Sequence, residues 1–289
     1  MVRKLFAVAV ATILLSTAGA SAAQAAPTQA APAQTLRPIV FVHDFSGGAE
    51  QYETQARRFA SNGYPASFIE AHEYDSTFVV NTTAQIYASL DARIARLLAE
   101  TGAGQVDLTA HSLGTFLMQG YLNSSPARAA SVAHYVNYDG ATATALPGGV
   151  PTLAIWGEGA TTRTIVGAIN VYLSDQSHTQ SVTSAESFQH VYRFLTGRDA
   201  RTTRIVPELP GQIRLSGRAV LFPLNVGVPS GQLEIYLINP FTGHRLTQRP
   251  AAVFPLGGDG SWGPFRLPAR TPAGRRARAC CAPLRLRRR

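Results

Sequence analysis

Val106-Asp107-Leu108-Thr109-Ala110-His111-Ser112-Leu113-Gly114 decides how the rest of this chain is read. An apolar run of strand length enters small-x-Ser-x-Gly and leaves into an apolar helical stretch. A turn that tight needs small residues on both sides of the serine, because a side chain at either place would strike its neighbours. Ala110 stands where glycine is usual, a difference of one methyl group. The turn lifts Ser112 above the carboxyl edge of a sheet, and the helix behind it aims backbone N–H groups at developing negative charge.

Apolar runs of strand length flank this segment: Ile39 to His43, Ala66 to Ile69, Val106 to Thr109, His134 to Tyr138, Thr152 to Trp156 and Asn170 to Leu173. Near-continuous apolarity suits parallel strands covered by helices on both faces. Helical spacing appears between them, at Ile86, Leu90, Ile94, Leu97 and Leu98, and again at Phe188, Val191, Tyr192 and Leu195. This alternation predicts a doubly wound α/β layer over residues 37–198. After Gly197 the text turns to short alternating segments rich in Gly and Pro: Gln212 to Phe222, Gln232 to Ile238 and Arg245 to Phe254. They predict a small antiparallel β-domain over 199–267.

Residues 1–25 read as a secretory signal peptide, with a basic start to Lys4, an apolar stretch from Leu5 to Leu15 and the small-x-small site Ala23-Gln24-Ala25. The apolar stretch is short for a bilayer span, so export without stable membrane insertion is expected. Residues 26–36 form an Ala/Pro-rich lead-in.

The net charge of +9 is uneven: nine of the 26 basic residues follow Phe265, leaving 17 basic against 17 acidic in residues 1–265. With no basic field on its body, the chain is not expected to bind nucleic acid. Cys280 and Cys281 are adjacent and build no framework of disulfides across the core.

A serine becomes nucleophilic when a histidine takes its proton and a carboxylate orients that histidine. His178, in the polar loop Ser174 to Thr179 after the last strand, suits the base. His43 and His72 precede Ser112 in the chain, His134 opens a strand, His190 lies inside the last helix, and His111 is expected to point elsewhere. Two acids compete: Asp139, closing the strand that starts at His134, and Glu158 in Trp156-Gly157-Glu158. Spacing leaves both open, while Asp107 falls at the wrong strand end. The oxyanion donors expected are the N–H groups of Leu113 and of Phe45, in the loop Val42-His43-Asp44-Phe45-Ser46-Gly47-Gly48. Asp44 is unusual there, since a carboxylate beside a forming oxyanion opposes it unless it turns away or is protonated.

Gln51-Tyr52-Glu53, Ala60-Ser61-Asn62-Gly63-Tyr64-Pro65, Thr115-Phe116 after the elbow, Tyr138-Asp139-Gly140 and Asn170-Val171-Tyr172 together give a resemblance. Over residues 37–267 the chain resembles secreted bacterial and archaeal lipases and carboxylesterases of the α/β-hydrolase superfamily that carry a small C-terminal β-domain. The resemblance implies an α/β-hydrolase fold and hydrolysis of acyl esters or lipids without metal or organic cofactor. It also implies Asp139 rather than Glu158 as the acid, and a β-domain that helps shape the acyl site. The same residues would serve an acyltransferase or amidase, and Asp44 raises a catalytically impaired binding protein as a third possibility.

Residues 268–289, Arg-rich and irregular, read as a GC-rich frame translated out of register. No strand is expected past Leu267, which would leave one sheet edge of the β-domain bare.

Overall fold

The computed structural model describes residues 36–209, 211–239, 241–268 and, as backbone only, 278–281. The signal peptide and nearly all of the lead-in expected from the sequence lie outside these residues.

In chain order the elements are β1 (Ile39–Val42), α1 (Glu53–Ser61), β2 (Ile69–His72), α2 (Thr83–Thr101), β3 (Val106–His111), α3 (Leu113–Ser124), α4 (Pro126–Ala130), β4 (Val132–Tyr138), β5 (Thr152–Trp156), β6 (Ile169–Tyr172), α5 (Gln180–Thr183) and α6 (Ala185–Thr196). The β-region adds β7 (Arg214–Arg218), β8 (Val220–Leu221), β9 (Val226–Gly227), β10 (Gln232–Ile238), β11 (Ala252–Pro255), β12 (Ser261–Arg266) and β13 (Arg278–Cys281).

Six strands form one parallel sheet in the order β2-β1-β3-β4-β5-β6. Its central strands are largely apolar because both faces are covered. In β1, Val40 and Val42 face Ile86, Leu90, Leu117 and Tyr121 of α2 and α3, whereas Ile39 and Phe41 face Tyr52, Phe59, Phe188 and Val191 on the α1 and α6 side. Alternate residues along one strand thus feed two cores. Helix α2 starts where Thr82 and Gln85 bond each other's backbone as a capping box and stops at Gly102, which takes the left-handed φ of 69°. Between these signals it buries Ile86, Leu90, Ile94 and Leu97, each contributing about 1.5–3 kcal/mol.

The β-region builds small antiparallel sheets, β11-β10-β13, β12-β7 and β8-β9. Val228, Leu233, Ile235 and Leu256 form its core, with Phe254 and Trp262 packed against them.

Three expectations are corrected. Ala66–Phe68, expected as strand, is a single 3-10 turn after Pro65, and β2 begins only at Ile69. Arg245 to Phe254, expected as one strand, contributes only its end, β11, because Arg249-Pro250 cannot supply an unbroken ladder. Beyond Leu267 a strand does form: β13 runs antiparallel to β10, with Ile235 opposite Cys281 and Ile238 opposite Arg278. Strand pairing uses backbone N–H and C=O groups, so the Arg-Ala-Cys-Cys stretch can complete a ladder without strand-like composition. The β10 edge expected to be bare is therefore occupied over these residues. Residues 269–277 and 282–289 lie outside the described set.

His72, at the end of β2 opposite Val42, is 1% exposed, and neither ring nitrogen makes a hydrogen bond. Burial, with the Arg93 charge adding to it, pushes its pKa down to about 3. The unfolded chain takes up this proton below about pH 6.5 while the folded chain refuses it until about pH 3, so the stability present above the unfolded value drains away as pH falls. At about pH 4.5 this group alone should cost roughly 2–3 kcal/mol relative to neutral pH. Urea unfolding at the two pH values should show His72→Phe losing markedly less than the parent. Equal losses in both proteins would refute the assignment.

Candidate active site

Strand β3 ends at His111, and the next residue turns the chain into α3. Ser112 makes the turn at φ 47° and ψ −117°, in a region that non-glycine residues seldom enter. Its N–H donates to Tyr138 O at 3.0 Å, tying the turn to the end of the neighbouring strand β4. Thr115 bonds Ser112 O twice, through its N–H at 3.0 Å and its hydroxyl at 2.6 Å. The glycine two places on is needed for space: a Cβ on Gly114 would lie 2.5 Å from His43 O and 2.8 Å from Val42 O. The end of β1 thus runs against the first turn of α3, which brings the loop holding Phe45 alongside Leu113. Among the described residues neither the Phe45 nor the Leu113 N–H has an intramolecular acceptor outside its own element.

Asp139 follows β4 at φ 41° and is 5% exposed. Its Oδ2 accepts from His178 Nδ1 at 2.6 Å. Its Oδ1 accepts from Gly157 N–H at 3.2 Å and from Arg163 Nη1 at 3.2 Å. Glu158, the rival acid, is exposed, and its carboxylate meets no hydrogen-bond donor among the described residues; its N–H donates to Gln176 O at 2.7 Å. Of the two carboxylates that spacing left open, Asp139 is against His178 and Glu158 is not.

His178 lies on the loop after β6, half exposed, with Nδ1 committed to Asp139 and Nε2 without a hydrogen-bond partner among the described residues. No hydrogen bond joins Ser112 Oγ to its ring. The link between the two residues runs through His111, whose imidazole centroid is 4.4 Å from that of His178 and whose Nε2 donates to His178 O at 3.0 Å. His111, expected to point elsewhere, instead faces the His178 loop. Its remaining nitrogen, Nδ1, lies 2.8 Å from the Gln51 side-chain amide.

Asp44 turns the same way. Its Oδ2 is 3.5 Å from His111 Nδ1. Burial works to raise its pKa, but the His111 and Gln51 groups beside it lower it by more, so the carboxyl sits below its ordinary value and stays ionised.

The other histidines are elsewhere or sealed. His134 pairs with Asp107 at 2.8 Å, near the opposite end of the parallel strands, and its ring meets Phe194. His43 is 1% exposed and stacked on Tyr74, and burial lowers its pKa. His190 is part of α6.

Sequence reading missed Arg163 and Thr115. Arg163 bonds Asp139 and Gly140 O while its guanidinium lies 5.0 Å from the Trp156 ring centroid. Nothing in the spacing of its loop announces it. Thr115 has a signal in hindsight, a hydroxyl in the first turn after the elbow. Its side chain donates to Ser112 O and accepts from Ala141 N–H at 2.6 Å, and it fills the space a Cβ on Gly140 would need. One hydroxyl thereby spans the elbow and the acid loop.

Residues 211–273 match the family model described as Lipase C-terminal domain. The fold is a six-stranded parallel sheet covered by helices on both faces, followed by small antiparallel sheets. Its small β-region is similar to lipase C-terminal domains. Solved structures of similar fold include a predicted CIB-like hydrolase from Thermoplasma acidophilum, 16% identical, covering 57% of this chain and 88% of that one, with a TM-score of 0.43. An esterase from Thermogutta terrifontis is 13% identical, covering 56% and 90%, at 0.42. An epoxide hydrolase from Vigna radiata is 14% identical, covering 56% and 92%, at 0.43. No curated protein matches the chain. The reading of this site rests on its own geometry.

Replacing Thr115 by Val keeps the shape but strands the buried Ala141 N–H, which should cost about 1–3 kcal/mol in urea unfolding. Thr115→Ser should recover most of the loss. A Val variant as stable as the parent would contradict the bridging role.

Proposed function

We propose that this chain is a secreted serine carboxylic-ester hydrolase, a lipase or esterase, in which Ser112 is the nucleophile, His178 the base and Asp139 the acid. The observation that carries the reading is the 2.6 Å bond from His178 Nδ1 to a buried Asp139, on a loop level with the Ser112 turn. That bond fixes the imidazole as the tautomer with its proton on Nδ1, so Nε2 carries the lone pair.

In the proposed cycle Nε2 takes the hydroxyl proton as Ser112 Oγ attacks the ester carbonyl. The tetrahedral oxyanion is met by the N–H groups of Phe45 and Leu113. The imidazolium then returns the proton to the departing alcohol, leaving an acyl-enzyme. Water then attacks the acyl carbonyl as Nε2 takes its proton, and the imidazolium returns that proton to Ser112 Oγ as the carboxylic acid leaves. No metal or organic cofactor takes part in this scheme.

Two further features favour an acyl ester over a polar substrate. Phe45, at the proposed oxyanion loop, is 60% exposed, and Phe116, in the first turn behind Ser112, is 62% exposed. The similarity of residues 211–273 to lipase C-terminal domains points the same way. The Asp44 carboxylate lies on the side of His111, 3.5 Å from its Nδ1, which favours a site that tolerates it. Export rests on the pattern of residues 1–25. Among the described residues no helix is long and apolar enough to cross a membrane.

Hydrolysis of p-nitrophenyl butyrate tests the reading. Ser112→Ala should lower kcat at least about 10³-fold and Asp139→Asn about 10³–10⁴-fold, while Glu158→Gln should stay within about twofold. Turnover by the Ser112→Ala protein at near-parent rates would end the proposal, and loss on Glu158→Gln alone would reassign the acid.

A further inference from the structure

We infer that Asn225, from the C-terminal β-region, positions the oxyanion loop; the inference rests on the reading of Ser112 as nucleophile and of Phe45 as an oxyanion donor. Asn225 sits in the tight connection between β8 and β9 at φ 52°, a left-handed conformation that asparagine tolerates better than most side chains. Its N–H donates to Leu221 O at 2.8 Å, and the residue is 4% exposed.

The side chain leaves its own region and enters the loop after β1. Its Nδ2 donates to Gly47 O at 2.7 Å and to His43 Nε2 at 3.2 Å. Those two acceptors bracket Phe45 on either side. His43 can accept because its Nδ1 proton is already given to Asp44 O at 2.8 Å, leaving a lone pair on Nε2. The ring is held flat against Tyr74, 4.2 Å between centroids, and Tyr74 N–H also reaches Nε2 at 3.3 Å.

The loop is one that needs holding. Ser46 is at φ 53°, and Gly47 has no room for a Cβ because the Asp44 carboxylate occupies the space. The 73–76 segment supplies ties from one side: Tyr74 hydroxyl to His43 O at 2.8 Å, Ser76 hydroxyl accepting from Ser46 N–H at 2.8 Å, and Glu73 accepting from Ala49 N–H at 2.8 Å. Asn225 supplies the tie from the β-region. Because His43 O packs on Gly114 of α3, a tilt of this loop moves the Phe45 N–H relative to the Leu113 N–H. The β-region therefore acts on the rate of the chemical step, beyond covering an acyl chain.

The test uses the full chain with Asn225→Asp, which keeps the shape but replaces the amide donor by acceptors, and Asn225→Ala. Active sites are titrated with a fluorophosphonate so that rates refer to reactive Ser112, and p-nitrophenyl butyrate kinetics are paired with inhibition by phenylboronic acid, whose serine adduct is an anionic tetrahedral boronate with an oxygen where the oxyanion would form. Both variants should lose about 10²-fold in kcat per titrated site with KM within about threefold, and the boronate should weaken in step with kcat/KM. Parent-like kcat and boronate affinity in both variants would overturn the inference. So would a loss confined to KM with the boronate unaffected, which would make Asn225 a substrate-binding support. Failure of the underlying reading looks different: the Ser112→Ala protein would keep hydrolysing the ester, whatever Asn225 does.

Discussion

The tight turn at Ser112 is the constraint on which the arrangement depends. A serine at φ 47° costs on the order of 1–3 kcal/mol and persists only where its surroundings leave no alternative. Here they do not. The turn follows a strand buried along its whole length, its N–H is spoken for by Tyr138 O, its carbonyl is taken twice by Thr115, and the helix beyond it is pressed against β1 at Gly114. Each restraint also reaches another part of the site. Tyr138 precedes Asp139, Thr115 grips Ala141, and the β1 end opens into the loop of Phe45. Holding the serine in an unusual conformation and holding the acid and oxyanion loops beside it are therefore one structural act.

Electrostatics settle the rest. The site gathers Asp44, Asp139 and three imidazoles within three loops and a strand end, an arrangement that would be unstable if the charges were left free. Each acid is given a partner that does not compete with its neighbour: Asp139 takes His178 and Arg163, and Asp44 takes the His111 side. His43 is kept neutral by burial and serves as an acceptor. The carboxylate that looks misplaced in the sequence becomes part of the scaffold that seats His111, and through it the His178 backbone.

Much of the sheet was legible because a strand covered on both faces is mostly apolar, as Ile39 to Val42 and Leu153 to Trp156 are. Where that logic is weak, reading failed. Ala66 to Ile69 is apolar enough for a strand but follows Pro65 and winds into a turn, and β13 is invisible because its pairing uses backbone atoms under side chains that carry no strand signature. At the proposed site, Ser112 and His178 are suggested by local pattern and loop position. The contact of Asp139 rather than Glu158 with His178 is not, since both follow neighbouring parallel strands at one edge and only packing tells them apart. His111, Arg163 and Asn225 were out of reach for a similar reason. Their contacts join residues 67, 24 and 178 positions apart, and no spacing rule spans such distances.

The most direct test of the central claim is the site and extent of covalent capture by a fluorophosphonate, read by intact mass and then by peptide mapping. The account predicts one adduct per chain, on Ser112, formed fast in the parent and slowly in the His178→Ala protein. Absence of an adduct, or one mapped to any other residue, would contradict it.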